Sequence, residues 1–218
     1  MSVAGYKTLI SAGSLTSVSV TAEACTSLSA TVYRVTSTAR RFLDPAQAVV
    51  VKDGGVTVSA ALWSIDYLTS RITFAGYTVL GSITVDAYYI PLTTVAEVQS
   101  AEVVATQALQ DITPFDYSNG AKSYKATLLD GSMTLGGTLM PWTDLASDVV
   151  GGVSTYFSEG TQRGWRLQFY DGSNYFVASI WGTVKDFKVS AAVDAISKMS
   201  LSLEANARSG KAIAFDVW

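Results

Sequence analysis

The stretch Gly164–Gly182, GWRLQFYDGSNYFVASIWG, decides the fold class. Two runs rich in aromatic and β-branched residues flank the polar quartet Asp171-Gly172-Ser173-Asn174. In the first run Trp165, Leu167 and Phe169 alternate with Arg166 and Gln168. On an extended chain they share one face, because successive strand side chains point to opposite sides. Asp-Gly between two such runs is a strong hairpin signal. The stretch predicts two antiparallel strands with one apolar face.

The same pattern extends in both directions. Phe187–Ala205, FKVSAAVDAISKMSLSLEA, reads as a further strand pair around AVDAI, which is a reversal or a kink. Phe187, Val189 and Ala191 are expected to pack inward on one strand, and Met199, Leu201 and Leu203 on the next. Lys198, Ser200, Ser202 and Glu204 then face outward. Upstream, AVVVKDGGVTVSA (48–60) is a strand, an Asp53-Gly54-Gly55 turn and a strand, the glycines supplying the positive φ that tight hairpins need. WSIDYLTSRITF (63–74) repeats the theme around Thr69-Ser70, and SITVDAYYIP (82–91) is a strand closed by Pro91. AEVQSAEVVATQALQDITPFD (96–116) is long enough for a helix, but its β-branched content favours a long strand. SNGAKSYKATLLDGS (118–132) reads as a loop, and SMTLGGTLM (132–140) as a strand interrupted at Gly136-Gly137 by a bulge or a close backbone approach.

The period changes once. In TDLASDVVGGVSTYFSEG (143–160), Leu145, Val149, Val153 and Phe157 recur every four residues, the stripe of a helix. Thr143 or Asp144 can cap its start and Gly160 can end it. Gly151 and Gly152 each cost about 1 kcal/mol against Ala inside a helix, so packing must hold it. The expected architecture is mainly β, a sandwich or barrel with one flanking helix over about residues 144–158. Residues 1–44 form Ser/Thr-rich strands or an arm, 45–210 the β domain with its helix, and 211–218 a C-terminal tail, together one structural domain.

Composition narrows the function classes. The chain has 218 residues, 49% hydrophobic and only 15% charged, with a net charge of −3. An average soluble domain is about a quarter charged, so this surface is expected to be covered by something, most economically by copies of itself. Histidine is absent, which removes the commonest general base and metal ligand. The single Cys25 forbids an internal disulfide and any multi-cysteine metal site. Cys25 reads as a small apolar filler, or, more sharply, as a reactive thiol without a histidine to activate it. No Lys/Arg block marks a nucleic-acid footprint, no apolar run reaches a membrane span, and the N-terminus lacks a secretory pattern. The expected product is soluble and made in a cytoplasm.

Searches for chemistry return little. There is no Gly-x-Ser-x-Gly elbow, phosphate loop or metal pattern, so no catalytic, cofactor-binding or metal-binding residue is assigned and no cofactor is expected. Two carboxylate pairs, Asp111 with Asp116 and Asp144 with Asp148, would suffice for a glycosidase, though the helical pair also suits a helix start. Trp63, Trp142, Trp165, Trp181 and Trp218, with eleven tyrosines, would serve a glycan-binding or adhesion module, but alternating aromatics more often cover a core.

Four passages together resemble the major tail tube proteins of long-tailed, siphovirus-like bacteriophages. They are WSIDYLTSRITFAG followed by ITVDAYYIP, then 108–140, 143–182 and VSAAVDAISKMSLSLEANARSG (189–210). The order of hairpin, long strand pair, helix, hairpin and late strand pair carries the likeness, which covers about residues 45–210. The first forty residues match no pattern of that family. The resemblance implies a β-sandwich with a flanking helix, a fold shared with the type VI secretion tube protein. It implies hexameric rings stacked into a hollow tube through which DNA passes from capsid to host. It also implies partners among other tail proteins, such as tape measure, tail terminator and distal tail proteins. DNA would be only a transient cargo, and the protein would reside in the virion tail after assembly in the host cytoplasm. Glu102, Glu204, Ser200 and Ser202, on polar strand faces, are the candidates for the lumen.

Overall fold

A computed structural model describes residues 8–98, 100–111, 124–138, 162–170, 172–192, 195–206 and 212–218. The protein is mainly β, with curled antiparallel sheets. The predicted helix over 144–158 lies outside the described residues, as does Trp142. Among the described residues, helical structure is limited to two short 3-10 turns, Thr38–Arg40 and Ala60–Leu62.

An eight-stranded sheet is built from β1 (Thr8–Gly13), β9 (Leu92–Val98), β10 (Ser100–Asp111), β11 (Tyr124–Thr138), β12 (Arg163–Tyr170), β13 (Tyr175–Ala192), β14 (Ala195–Ala205) and β15 (Ile213–Val217). The strand order is β10-β11-β14-β13-β12-β1-β9. β15 follows β14 along the same edge of β13: Gly182 faces Ala205, and Ile180 faces Ile213. The sheet curls until β9 comes back against β11. The apolar face anticipated from Trp165 and Leu167 is its interior. There Trp165, Leu167, Ala178, Ile180, Leu201 and Leu203 are buried with Ile10, Met133 and Leu135. Each fully buried aliphatic or aromatic side chain contributes about 1.5–3 kcal/mol, so this face dominates the sheet's stability.

Between β1 and β9 the chain makes a second sheet. Gly13 pairs with Leu92, and the Ser14 N–H donates to the Pro91 carbonyl at 2.9 Å, so residues 14–91 leave and re-enter the first sheet at one point. They form β2 (Val18–Ser27), β3 (Val32–Val35), β4 (Val50–Asp53), β5 (Val56–Thr57), β6 (Trp63–Asp66), β7 (Arg71–Phe74) and β8 (Ile83–Tyr89), in the order β5-β4-β8-β2-β3-β7-β6. The hairpins expected at Asp53-Gly54-Gly55 and at Thr69-Ser70 are both present. Gly54 and Gly55 take φ of +55° and +87°. This sheet has its own core of Val35, Leu43, Val51, Ile72, Phe74 and Val85. Cys25, on β2, is half-buried beside that core, and burial, with the Glu23 charge, pushes its thiol up to about 12.

Two local expectations are corrected. Residues 118–132 read as a loop, yet Tyr124–Ser132 belong to β11. Asp130 and Gly131 sit in mid-strand, opposite Thr106 and Ala105. Gly131 is there for space: a Cβ would collide with Ile213 Cδ1 and lie 2.6 Å from the Val104 carbonyl oxygen. No register shift occurs at Gly136-Gly137, which pair regularly with β14 opposite Ser200 and Met199. The β10–β11 ladder shifts instead between Ala108 and Leu109. Of the long strand expected over 96–116, residues 96–98 belong to β9 and 100–111 to β10, and the rest lies outside the described residues; AVDAI is a reversal, with Ala192 facing Ala195.

The sheets meet in a seam with an apolar and a polar half. Phe42, Leu68, Ile90, Trp181 and Ala214 are buried together, with the Phe42 and Trp181 rings edge-on at 4.8 Å. A Cβ on Gly164 would strike the Phe42 ring, so glycine permits this approach. In the polar half, Asp216 of β15 accepts from Arg34 Nη1 at 2.7 Å, Arg71 Nη2 at 2.6 Å and Trp218 Nε1 at 2.9 Å. Burial pushes the Asp216 carboxyl up, yet Trp218, Arg34 and Arg71 together hold it below its ordinary value. The last strand thereby ties β3 and β7 of one sheet to β13 of the other.

Candidate assembly surface

Alternation on long strands forces an outer face as surely as an inner one. Opposite the buried Met133, Leu135, Leu201 and Leu203, β10, β11, β14 and β13 present polar and small residues in cross-strand rows. One row runs Glu102, Thr134, Ser202, Asp186. The next runs Val104, Ser132, Glu204, Thr183. A third joins Gly136 and Ser200.

All four candidates from the sequence therefore lie on one face. Glu102 is two strands from Ser202, about 10 Å at the usual strand spacing. Ser200, Ser202 and Glu204 line up along β14, with Glu102, Ser200 and Glu204 exposed and Ser202 half-buried. The face is ribbon-like and holds a hollow of about 480 Å³ lined by Val104, Ser132, Lys185, Asp186, Ser202 and Glu204. Lys185 reaches this hollow through a bulge between Val184 and Asp186, which inserts it beside Glu204 with Nζ and Oε2 3.3 Å apart. Sequence alternation misses Lys185 because the bulge breaks the period. Thr134 and Ser132 were legible as the polar partners of Met133 and Leu135.

The remaining candidates do not converge on this face. Trp165 and Trp181 are fully buried, Trp63 donates to the Val58 carbonyl at 3.3 Å beside the second core, and Trp218 sits in the seam. The described tryptophans thus offer no exposed row for a sugar. Asp111 ends β10, while Asp116, Asp144 and Asp148 lie outside the described residues. Among the described residues no three His, Cys, Asp or Glu side chains gather in a metal-binding arrangement. No described helix is long and apolar enough to cross a membrane.

No protein-family model matches the chain, and no curated protein does. Solved structures similar to it include a chain of the virion of a native gene transfer agent (GTA) particle. That match is 12% identical and covers 57% of this chain and 88% of that one, with a TM-score of 0.42. A second is a chain from the tail of an empty GTA particle with C6 symmetry, also 12% identical, covering 58% and 87%, with a TM-score of 0.41. A third is the Hcp protein, at 12% identity, 56% and 77% coverage and a TM-score of 0.31.

Proposed function

We propose that this protein is the structural subunit of a phage-like tail tube. Six copies form a ring, rings stack into a hollow tube, and DNA passes through it from capsid to host without being retained. The ribbon bearing Glu102, Ser200, Ser202 and Glu204 lines the lumen. The tube is built in the host cytoplasm, resides in the virion tail and joins other tail proteins at its ends. The protein is not an enzyme.

One observation carries this reading. Among the described residues β10 is a twelve-residue edge strand, paired on one side with β11. From Ser100 to Gln110 it has a single charged residue, Glu102. Soluble proteins guard long edges with charges, prolines or cover, since an open edge templates pairing with another chain. An edge this long and this unguarded suits a molecule whose neighbour is another copy. A head-to-tail interface of that kind generates rings or filaments. The order of the four sequence passages supports the same reading, as does the sparse charge of the ribbon: a basic wall would bind phosphates at many points and resist sliding.

Electron microscopy of the purified protein at high concentration, alone and with tail-terminator and tape-measure proteins, tests the proposal. Rings or tubes are expected. Dispersed particles of the unaltered protein under every condition would sink it.

A further inference from the structure

The polar half of the seam carries more positive charge than its contacts neutralise. Arg34 and Arg71 share Asp216, while Arg41 and Arg166 both lie over the Trp218 ring, at 4.9 and 4.7 Å from its centroid. Four guanidiniums thus stand around one carboxylate. Arg41 is satisfied at two points, donating from Nε to the Val35 carbonyl and from Nη2 to the Thr36 carbonyl. Arg166 is not. It is 4% exposed, it donates once, from Nη1 to the Thr38 carbonyl at 3.3 Å, and its Nε and Nη2 reach no acceptor among the described residues. Burying a guanidinium without a counter-charge is among the costliest arrangements a fold can hold. Burial, and then the neighbouring Arg41 charge, push the Arg166 guanidinium down to about 9, against the opposing pull of Asp216. At neutral pH it remains charged.

Beside Arg166 lies a cavity of about 190 Å³. Its lining includes Ser11, Thr94, Gln168 and Trp218. Ser11 Oγ and Thr94 Oγ1 are 3.3 Å apart, so β1 and β9 present a hydroxyl pair to the space that Arg166 borders from β12. Arg166, two hydroxyl-bearing residues and a carboxamide-bearing residue around one cavity form a donor set for a planar or tetrahedral oxyanion.

We propose that this cavity is an oxyanion-binding site, taking a carboxylate or phosphate group on Arg166, Ser11, Thr94 and Gln168. The site lies at the junction of the two sheets, so its occupant neutralises the arginine cluster and couples the inserted sheet to the curled one. Two sources offer the same chemistry: a free inorganic anion, and an acidic side chain of a second copy of this acidic chain.

Thermal unfolding of the full chain in sodium phosphate, against sodium chloride at equal ionic strength, tests the site. Phosphate is expected to raise the Tm saturably, by linkage to binding in the folded state. A general salting effect of phosphate does not saturate and does not depend on the cavity. Thr94→Val and Gln168→Leu are expected to weaken the apparent phosphate affinity about tenfold each, the worth of one charge-assisted hydrogen bond. Arg166→Met is expected to abolish the response; a well-folded, unresponsive Met variant marks Arg166 as a binding group, not a structural prop. If phosphate acts no differently from chloride, or if the Thr94→Val/Gln168→Leu double variant responds as the parent does, the proposal is overturned. Added phosphate also separates the sources. Slowed self-assembly identifies a neighbour's carboxylate as the occupant, and phosphate binding without effect on assembly identifies a free anion.

Discussion

On the ribbon of β10, β11, β14 and β13, polar side chains stand in regular rows, mostly exposed, with the charged pair Lys185–Glu204 open to solvent on both sides. At the seam, polar side chains are buried and crowded, and Asp216 is 3% exposed at its side chain while holding two arginines. The ribbon is built from neighbours in register; the seam is built from residues at 34, 41, 71, 166, 216 and 218. Water pays most of the solvation on the ribbon, so its individual contacts contribute little. At the seam each group depends on its partners, so one deletion is expensive. The ribbon can therefore vary in chemistry without loss of fold, and the seam cannot.

The sharpest way to break this contrast is Asp216→Asn. Removing the shared carboxylate leaves Arg34 and Arg71 facing each other in a partly buried site, and the expected loss is about 3–5 kcal/mol. Urea unfolding measures it. The pH dependence follows from the same residue. Because the folded carboxyl is held below its ordinary value, its contribution is fully present above the unfolded carboxylate pKa of about 4 and is lost as pH falls through the lower folded value. Parent protein is expected to lose stability below about pH 4 more steeply than the Asn variant. Parallel acid limbs would mean that the seam does not depend on this charge.

An intermediate effect is expected on the inner side of the ribbon at Gly131→Ala. The added methyl has no room between Ile213 and the Val104 carbonyl, so β15 or β10 must shift, at about 1–3 kcal/mol. A loss of that size, together with weaker protection of β15 amides in hydrogen exchange, is the predicted signature. A neutral outcome would show that β15 is loosely held against β11, contrary to the tight packing at Ile213.

This contrast also explains what could be read in advance. The hairpin at 164–182, the reversal at 192–195 and the inward Leu201 and Leu203 follow from period-two alternation, a local signal. The same alternation placed Glu102, Ser200, Ser202 and Glu204 on polar faces, and pairing then brought those faces together. Residues 118–132 were misread as a loop because their periodicity is weak, and the reason for Gly131 is a contact with Ile213, far along the chain. The bulge at Lys185 leaves no local mark either. Nothing in the seam was legible: Arg34, Arg71 and Asp216 sit in unremarkable strands, and only the return of residues 14–91 beside β1 brings them together. Which strands join which sheet escaped for the same reason, since the turn residues that delimit strands do not say which strands pair.

The smallest effect on stability belongs to the outer face of the ribbon. Glu204→Gln removes an exposed ion pair and is expected to change unfolding free energy by less than about 1 kcal/mol. Reversing the charge with Glu102→Lys and Glu204→Lys is expected to be similarly mild for the fold, because both side chains stay hydrated. Its consequence should appear in function. Two lysines per subunit, repeated around a ring, would give a lumen several phosphate contacts at each level, and the affinity for duplex DNA would fall steeply with added salt. Tubes of the double variant are therefore expected to retain DNA at low salt and release it at high salt, while parent tubes retain none. Retention by neither would place this face away from the lumen, on the outside of the tube or between subunits, even though its strands, register and stability are as described.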